Sequence, residues 1–143
     1  MSGKLPAMDR LTSERRSWLM SRVRSKNTKP ELVVRRLVFS MGYRYRLHGK
    51  NLPGTPDLVF PGRKKAIFVN GCFWHGHAGC RYGRLPKSRI AFWEAKIDRN
   101  RQRDGINIAN LQAAGWRALT VWECELKEIE TLMSKLNEFL QSE

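Results

Sequence analysis

The organisation of this chain follows from one segment, residues 66–80, with the sequence AIFVNGCFWHGHAGC. It opens with a short apolar run, Ala66 to Val69, which is typical of a strand buried on both faces. Cys72, His77 and Cys80 then follow at the spacing C-x4-H-x2-C. The segment therefore predicts a buried strand that runs into an irregular loop rich in metal-binding side chains.

A second apolar run, Asp57 to Phe60, precedes this segment across a Pro61-Gly62 turn, so the two runs predict a buried hairpin. Further upstream, Tyr43 to Leu47 alternates bulky residues with arginines, as in a half-exposed strand. Residues 48–56 between them are rich in Gly and Pro and predict a loop. Three strands are therefore expected before the Cys/His stretch.

Helices are predicted ahead of these strands. Residues 1–11 are expected to be a disordered leader, followed by a short basic helix over residues 12–25. Thr28 and Glu31 have the spacing of a capping box for a second helix, which Gly42 is expected to end.

The chain after the irregular stretch of residues 71–86 predicts a long polar helix from Ser88 to Ala114, with an interruption near Gly105. A strand from Arg117 to Trp122 follows. The last helix is amphipathic, with apolar positions at Ile129, Leu132, Met133, Leu136, Phe139 and Leu140. The element order ααβββαβα predicts an α+β fold, with a mixed central sheet flanked by helices, in one domain spanning residues 1–143.

The chain is strongly basic, with 27 lysines and arginines against 13 acidic residues and a formal net charge of +14. Such a surface gains affinity for nucleic acid by releasing condensed counterions, although a generally basic protein is the alternative. No apolar run has transmembrane length, and the N-terminus lacks the apolar stretch of a signal peptide. We therefore expect a cytoplasmic protein with no membrane partner.

The three cysteines of the chain are expected to be reduced in that compartment. Cys124, at the end of the last predicted strand, would join Cys72, His77 and Cys80 in a tetrahedral zinc site. A closed set of four ligands leaves no position for water, which indicates a structural role. Ordinary buried thiols are the alternative, and spacing alone does not choose between His77 and His75.

Asp57 stands where a loop meets a hydrophobic strand. A carboxylate there suits a hard cation such as magnesium, which prefers oxygen ligands. For an isolated aspartate at this position, an ordinary turn residue is the more common interpretation.

The chain contains LPGTPDLVF at residues 52–60, AIFVNGCFWHGH at residues 66–77 and VWEC at residues 121–124. Together these segments resemble the very-short-patch-repair DNA mismatch endonucleases, a branch of the restriction-endonuclease-like fold. The similarity extends from about Arg16 to Cys124. It implies strand-specific, magnesium-dependent hydrolysis of the phosphodiester 5′ of the thymine in T·G mispairs, which arise when 5-methylcytosine deaminates.

The resemblance also implies residue roles. Asp57 would bind magnesium together with the backbone carbonyl of Val69, and His75 would activate or position the attacking water. Glu31 would support the water of that site. The zinc would be held by Cys72, His77, Cys80 and Cys124, which leaves His75 for catalysis.

Further positions carry over less directly. This chain has Asn70 where the family often has a histidine, and an asparagine donates hydrogen bonds but cannot shuttle a proton. Asn100 and Asp104 match polar positions near the family's site, and a solvated helix face is the alternative for both.

Aromatic and basic residues are expected to contact DNA. Phe73, Trp74 and Trp93 match residues that wedge into the duplex beside the mismatch, with Arg89 nearby, although core packing is the usual role of isolated tryptophans. The first helix would lie against the opposite groove, with Met20 inserted and flanked by Arg22 and Arg24, unless it packs on the body of the protein.

Two other functions remain open from the sequence. One is a zinc-stabilised DNA-binding module without activity, and the other is a restriction-like endonuclease with a different mismatch or site specificity. For the mismatch endonuclease we expect a monomer in a bacterial cytoplasm, at the nucleoid. Its functional links would be to a cytosine-5 methyltransferase and to downstream repair factors.

Overall fold

The computed structural model of this protein describes residues 27–142. The elements in chain order are helix α1 (Lys29–Ser40), strands β1 (Arg46–Leu47), β2 (Leu58–Phe60) and β3 (Lys65–Asn70), helix α2 (Ile90–Ala113), strand β4 (Arg117–Trp122) and helix α3 (Ile129–Gln141). The predicted basic helix over residues 12–25 and the leader lie outside the described residues.

The four strands form one mixed sheet in the order β1-β2-β3-β4. Strands β1, β2 and β3 pair antiparallel, whereas β4 runs parallel to β3 over its whole length. Parallel neighbours need a long crossover connection, and α2 lies within it. The mixed sheet and the α+β class are therefore confirmed.

The main core joins α1 and α3 to the sheet. Its buried residues are Val34 and Val38 from α1, Leu58, Phe60, Ile67 and Val121 from the sheet, and Leu132, Leu136 and Leu140 from α3. Helix spacings of three and four residues and the strand spacing of two bring these side chains together. This packing fixes the strand ends around which the functional groups are arranged.

Several boundaries differ from expectation. Strand β1 has two residues instead of five, since only Arg46 and Leu47 pair with β2. Helix α2 begins at Ile90, because Arg89 adopts a left-handed conformation (φ 55°). It then continues through Gly105 without interruption, as a single glycine costs a helix only about 1 kcal/mol and buried Trp93, Ile97 and Leu111 anchor both of its halves.

Other local predictions are confirmed, except that the Glu31 side chain accepts the N–H of Asn27 where a capping box would have it accept that of Thr28. Thr28 caps α1 by accepting the Glu31 backbone N–H at 3.4 Å. Gly42 (φ 95°) follows the end of α1, and Gly115 (φ 87°) follows the end of α2. None of the helices within residues 27–142 is long and apolar enough to cross a membrane.

Candidate active site and metal cluster

An open cleft of about 940 Å³ lies where β3 ends and α2 passes over the sheet. Most of the predicted catalytic groups line this cleft together: Asp57, Val69, Asn70, His75, Asn100 and Asp104. The sequence places them on a loop–strand junction, a strand end, the Cys/His loop and a helix. The fold therefore gathers residues far apart in the chain around one space that substrate can enter.

Asp57 is held at the cleft by the backbone of β3. Its N–H donates to the carbonyl of Ile67 at 3.0 Å, and its carboxylate oxygen Oδ2 accepts the N–H of Val69 at 2.7 Å. In an extended strand the N–H and C=O of one residue point to the same side. The carbonyl of Val69 is therefore directed toward the side on which Asp57 lies.

The Asp57 carboxyl group lies in an environment that disfavours its charge. Burial raises its pKa from 3.8 to about 7, the Val69 hydrogen bond lowers it, neighbouring Glu31 raises it, and His75 lowers it. Two acidic groups so close together in a partly dry site favour retention of a proton. A cation would relieve the same conflict.

Glu31 lies in the first turn of α1 and is 1% exposed. One carboxylate oxygen accepts the Asn27 backbone N–H at 3.1 Å. The other contacts the Arg35 guanidinium and lies 3.0 Å from Nε2 of His48. Glu31 is thus an ion-paired carboxylate behind Asp57, and it is not among the residues that line the cleft.

His48 is a member of this arrangement that sequence reasoning missed. Glu31, His48 and Asp57 bring ligand-type atoms within 4.8 Å of one another. The sequence signal was a lone histidine after a predicted strand, in a loop whose path the sequence does not reveal. The pairing of β1 with β2 places it beside Asp57, and the position of α1 brings Glu31 to its ring.

His75 forms a dyad with Asp104. The two side chains meet at 2.6 Å between Nδ1 and a carboxylate oxygen, and both are about one-third exposed. Asn100, one turn earlier on α2, donates from Nδ2 to the Trp74 carbonyl at 2.8 Å. Two polar residues of α2 therefore hold the Cys/His loop so that His75 faces the cleft. Asn70 lines the same cleft and is 8% exposed.

The second ligand-rich site is the metal cluster formed by Cys72, His77, Cys80 and Cys124. Their ligand atoms all lie within 4.8 Å of one another, so they could hold a metal ion. The structure brings His77 into the metal cluster and His75 into the cleft.

Contacts around the metal cluster tie the loop to β4. The Cys124 N–H donates to the sulfur of Cys72 at 3.4 Å, and the His77 ring stacks on Trp122 at 4.1 Å with nearly parallel planes. Burial raises the pKa of the Cys72 thiol to about 12 and also raises that of Cys124. Without a bound cation these sulfurs would hold protons, and a metal would replace them.

The loop also packs closely on α2. Gly76 (φ 61°) lies so near this helix that an added Cβ would sit 2.5 Å from a methyl carbon of Ile97. A side chain there is excluded both by the backbone conformation and by space.

The aromatic residues divide between core and surface. Trp93 is fully buried and its ring contacts those of Phe73, Trp74 and Phe92 at 5.1 to 6.3 Å between centroids. The expectation of Trp93 as a surface wedge does not match this conformation, because its position on α2 points it inward. Phe92, which sequence reasoning missed, is 41% exposed and lines the cleft with Trp74.

The remaining predicted DNA contacts are distributed as follows. The Arg89 guanidinium lies over the Phe92 ring, 4.6 Å from its centroid. Lys96 and Arg103 of α2 add positive charge to the lining of the cleft. Met20, Arg22 and Arg24 lie outside the described residues.

Comparison with known proteins agrees with these arrangements. A sequence model described as DNA mismatch endonuclease Vsr matches residues 8–81. The chain is 58% identical over 132 residues to the type II nicking enzyme V.XorIIP of Xanthomonas oryzae pv. oryzae, covering 92% of this chain and 96% of that protein. It is 41% identical over 133 residues to the type II nicking enzyme V.NmeAIP of Neisseria meningitidis serogroup A, covering 93% of this chain and 94% of that protein. It is 39% identical over 117 residues to the DNA mismatch endonuclease Vsr of Escherichia coli, covering 82% of this chain and 74% of that protein. On these grounds, and with the cleft and metal cluster in place, the chain belongs to the Vsr family of DNA mismatch endonucleases.

Proposed function

We propose that this endonuclease nicks one strand of DNA 5′ of the thymine in T·G mispairs left by deamination of 5-methylcytosine, and so initiates very short patch repair. The observation that carries the proposal is the His75–Asp104 dyad, joined at 2.6 Å, which faces the cleft that Asp57 also lines. A carboxylate for a cation and an oriented imidazole are the two groups that metal-assisted phosphodiester hydrolysis needs.

Asp57 and the Val69 carbonyl would hold magnesium at the cleft. The donor set fits, since magnesium prefers oxygen ligands, and the raised pKa of Asp57 marks a buried carboxyl group that lacks a compensating charge. When bound, the ion supplies positive charge that stabilises the negative charge developing on the phosphate.

His75 would act as the general base. Asp104 accepts a hydrogen bond from Nδ1–H, which leaves Nε2 with a free lone pair. Nε2 removes a proton from water as the water oxygen bonds to phosphorus, the bond from phosphorus to the leaving sugar oxygen breaks, and that oxygen takes up a proton from solvent water. Glu31, paired with Arg35, supports this site from behind Asp57.

Zinc is the metal proposed for the metal cluster of Cys72, His77, Cys80 and Cys124. Three thiolates and an imidazole match its preferred tetrahedral ligands, and the closed set indicates a structural role. Because His75 lies between Cys72 and His77 in the chain, the zinc would fix the loop that carries the proposed base.

DNA would enter over the aromatic and basic lining of the cleft. Trp74 and Phe92 of this lining offer rings for stacking, with Phe73 packed against Trp74, and unstacking costs least at a mispair. Trp93 would reach a base only if its cluster with these rings opened. Asn100, Arg89 and the N-terminal Met20, Arg22 and Arg24 complete the proposed contacts.

The cellular setting proposed for the reaction follows from the origin of the T·G mispair. T·G mispairs of this origin require a cytosine-5 methyltransferase in the same cell, and a nick requires downstream repair factors. We place the protein in a bacterial cytoplasm, at the nucleoid, where a single-domain monomer would suffice to nick one strand.

The test is a nicking assay on matched duplexes that differ only in one T·G or C·G pair, with magnesium added or omitted. We expect cutting of the T·G duplex alone, only with magnesium, and its loss in Asp57→Ala. Binding without cutting would indicate a zinc-stabilised DNA-binding module. Equal cutting of both duplexes would indicate a restriction-like endonuclease.

A further inference from the structure

His48 joins the two carboxyl groups of the cleft through both its backbone and its side chain. It follows β1, and its N–H donates to the carbonyl of Asp57 at 3.0 Å. Its Nε2 lies 3.0 Å from the carboxylate of Glu31 on α1. One residue therefore bridges the backbone of Asp57 and the helix that carries Glu31.

The proton on this bridge can be assigned from its neighbours. The Arg35 guanidinium lies 3.4 Å from the same Nε2 and contacts the same Glu31 oxygen. A guanidinium only donates hydrogen bonds, and a carboxylate only accepts them. Arg35 already donates to Glu31, so its longer contact with Nε2 needs no lone pair there, whereas the 3.0 Å contact between Nε2 and the carboxylate requires a proton between them. We therefore assign Nε2 as a donor to Glu31.

These contacts argue against His48 as a metal ligand, although Glu31, His48 and Asp57 are close enough to share an ion. A ligating imidazole needs a free lone pair on the nitrogen that faces the metal. Nε2 has none while it donates to Glu31, and the Arg35 charge beside it would repel a divalent cation.

We propose that His48 is a positioning residue, which holds the Glu31 carboxylate against Asp57 and thereby sets the place of Asp57 in the cleft. The proposal rests on the function proposed above for that cleft. Without the Nε2 donor, Glu31 keeps only its contacts with Asn27 and Arg35, and its carboxylate is no longer held on the side that faces Asp57. The expected cost is about 10-fold to 100-fold in metal affinity and in rate, the usual range for outer-shell partners.

The conformation of His48 allows a matched pair of variants. Its φ of 50° is left-handed, a region that asparagine tolerates well. In His48→Gln the amide nitrogen can reach the place of Nε2, whereas in His48→Asn the same group is too short. Both variants keep an amide, so they differ chiefly in whether a donor reaches Glu31.

The experiment measures Mn²⁺ affinity by calorimetry and single-turnover nicking of a saturating T·G duplex, with thermal melting to verify folding. We expect His48→Asn to weaken Mn²⁺ binding and slow nicking about 10-fold to 100-fold, with DNA affinity unchanged and His48→Gln close to wild type. Wild-type Mn²⁺ affinity in His48→Asn would overturn the proposal. A wild-type protein that binds Mn²⁺ but does not nick would sink the proposed function alone, since the affinity comparison would still report on His48.

Discussion

The cleft and the metal cluster are built in contrasting ways. The metal cluster takes three of its four ligands from one short loop and the fourth from the residues just after β4. The cleft takes Asp57 from the residue before β2, His75 from the Cys/His loop and Asp104 from α2. Sulfur and imidazole groups enclose the metal cluster, whereas oxygen and nitrogen groups surround an open space in the cleft.

This contrast predicts that the chemistry can be lost without loss of stability, whereas stability cannot be lost without loss of the chemistry. Asp57 and Asp104 lie on a strand junction and a helix whose backbone-to-backbone hydrogen bonds do not involve either side chain, so we expect these elements to survive replacement of either residue. A metal ion bound at the metal cluster would instead fix the loop that carries His75. Damage to the cleft should therefore abolish nicking in a folded protein, whereas damage to the metal cluster should remove both folding and nicking.

The largest expected effect comes from Cys124→Ser, which removes the ligand outside the loop. Structural zinc sites contribute on the order of 10 kcal/mol to folding, comparable to the whole stability of a small domain. We expect metal analysis to find no bound zinc and circular dichroism to show a protein that is unfolded at 37 °C. Ala78→Ser, at an exposed position of the same loop, is the control and should retain both. A Cys124→Ser protein that melts like wild type would contradict the structural role.

Asp104→Asn should slow nicking while leaving the fold intact. An amide no longer fixes the imidazole tautomer or stabilises its charged form, so we expect a loss of about 100-fold in single-turnover rate. The Asp104 side chain is 30% exposed, so the melting temperature should change little. Asp98→Asn, on an exposed part of the same helix, should nick at the wild-type rate; equal losses in both variants would refute the dyad.

Asp57→Asn should stabilise the protein at alkaline pH in magnesium-free buffer. The folded-state pKa of Asp57 is raised to about 7 from 3.8, so its contribution to stability is complete below about pH 4 and is lost as pH rises through about 7. At pH 8 the variant lacks this buried charge and should be about 1–3 kcal/mol more stable than wild type. Thermal melts should show the difference narrowing toward pH 4. A variant less stable than wild type at pH 8 would mean that burial is not the main influence on the pKa of the Asp57 carboxyl group.

The smallest effect is expected for Phe92→Ala. The ring is 41% exposed, so its removal should cost little stability but weaken binding of mismatched DNA about 10-fold, the lower part of the range for base stacking. Ile106→Ala, at a more exposed apolar position of α2, serves as the control for fluorescence anisotropy titrations. Unchanged affinity in Phe92→Ala would remove this ring from the proposed interface.

Local signals in the sequence predicted much of the fold. Strand β4 begins and ends at the expected residues, because an apolar run of strand length lies between a glycine turn and a polar segment. The cap of α1 and the glycines after α1 and α2 are set by nearest-neighbour geometry. Strand β1 was too long in the prediction because pairing with β2, and not side-chain alternation, determines how far it extends.

The parts of the site that the sequence did not predict depend on long-range packing. Phe92 and Trp93 are adjacent, so they point about 100° apart on α2, and only the packed loop determines which ring is buried. The contact of His48 with Glu31 spans 17 residues and requires a left-handed residue after β1. Neither feature has a signal within a short window of sequence.

The central claim is that the cleft does the chemistry while the metal cluster maintains the loop. Its most direct test is the single-turnover nicking rate of Asp57→Asn on a T·G duplex across a magnesium titration, with zinc content and melting measured on the same sample. We predict about 1,000-fold or greater loss of rate in a protein that retains one zinc per chain and, in magnesium-free buffer, melts no lower than wild type. Nicking at the wild-type rate in that protein would contradict the account.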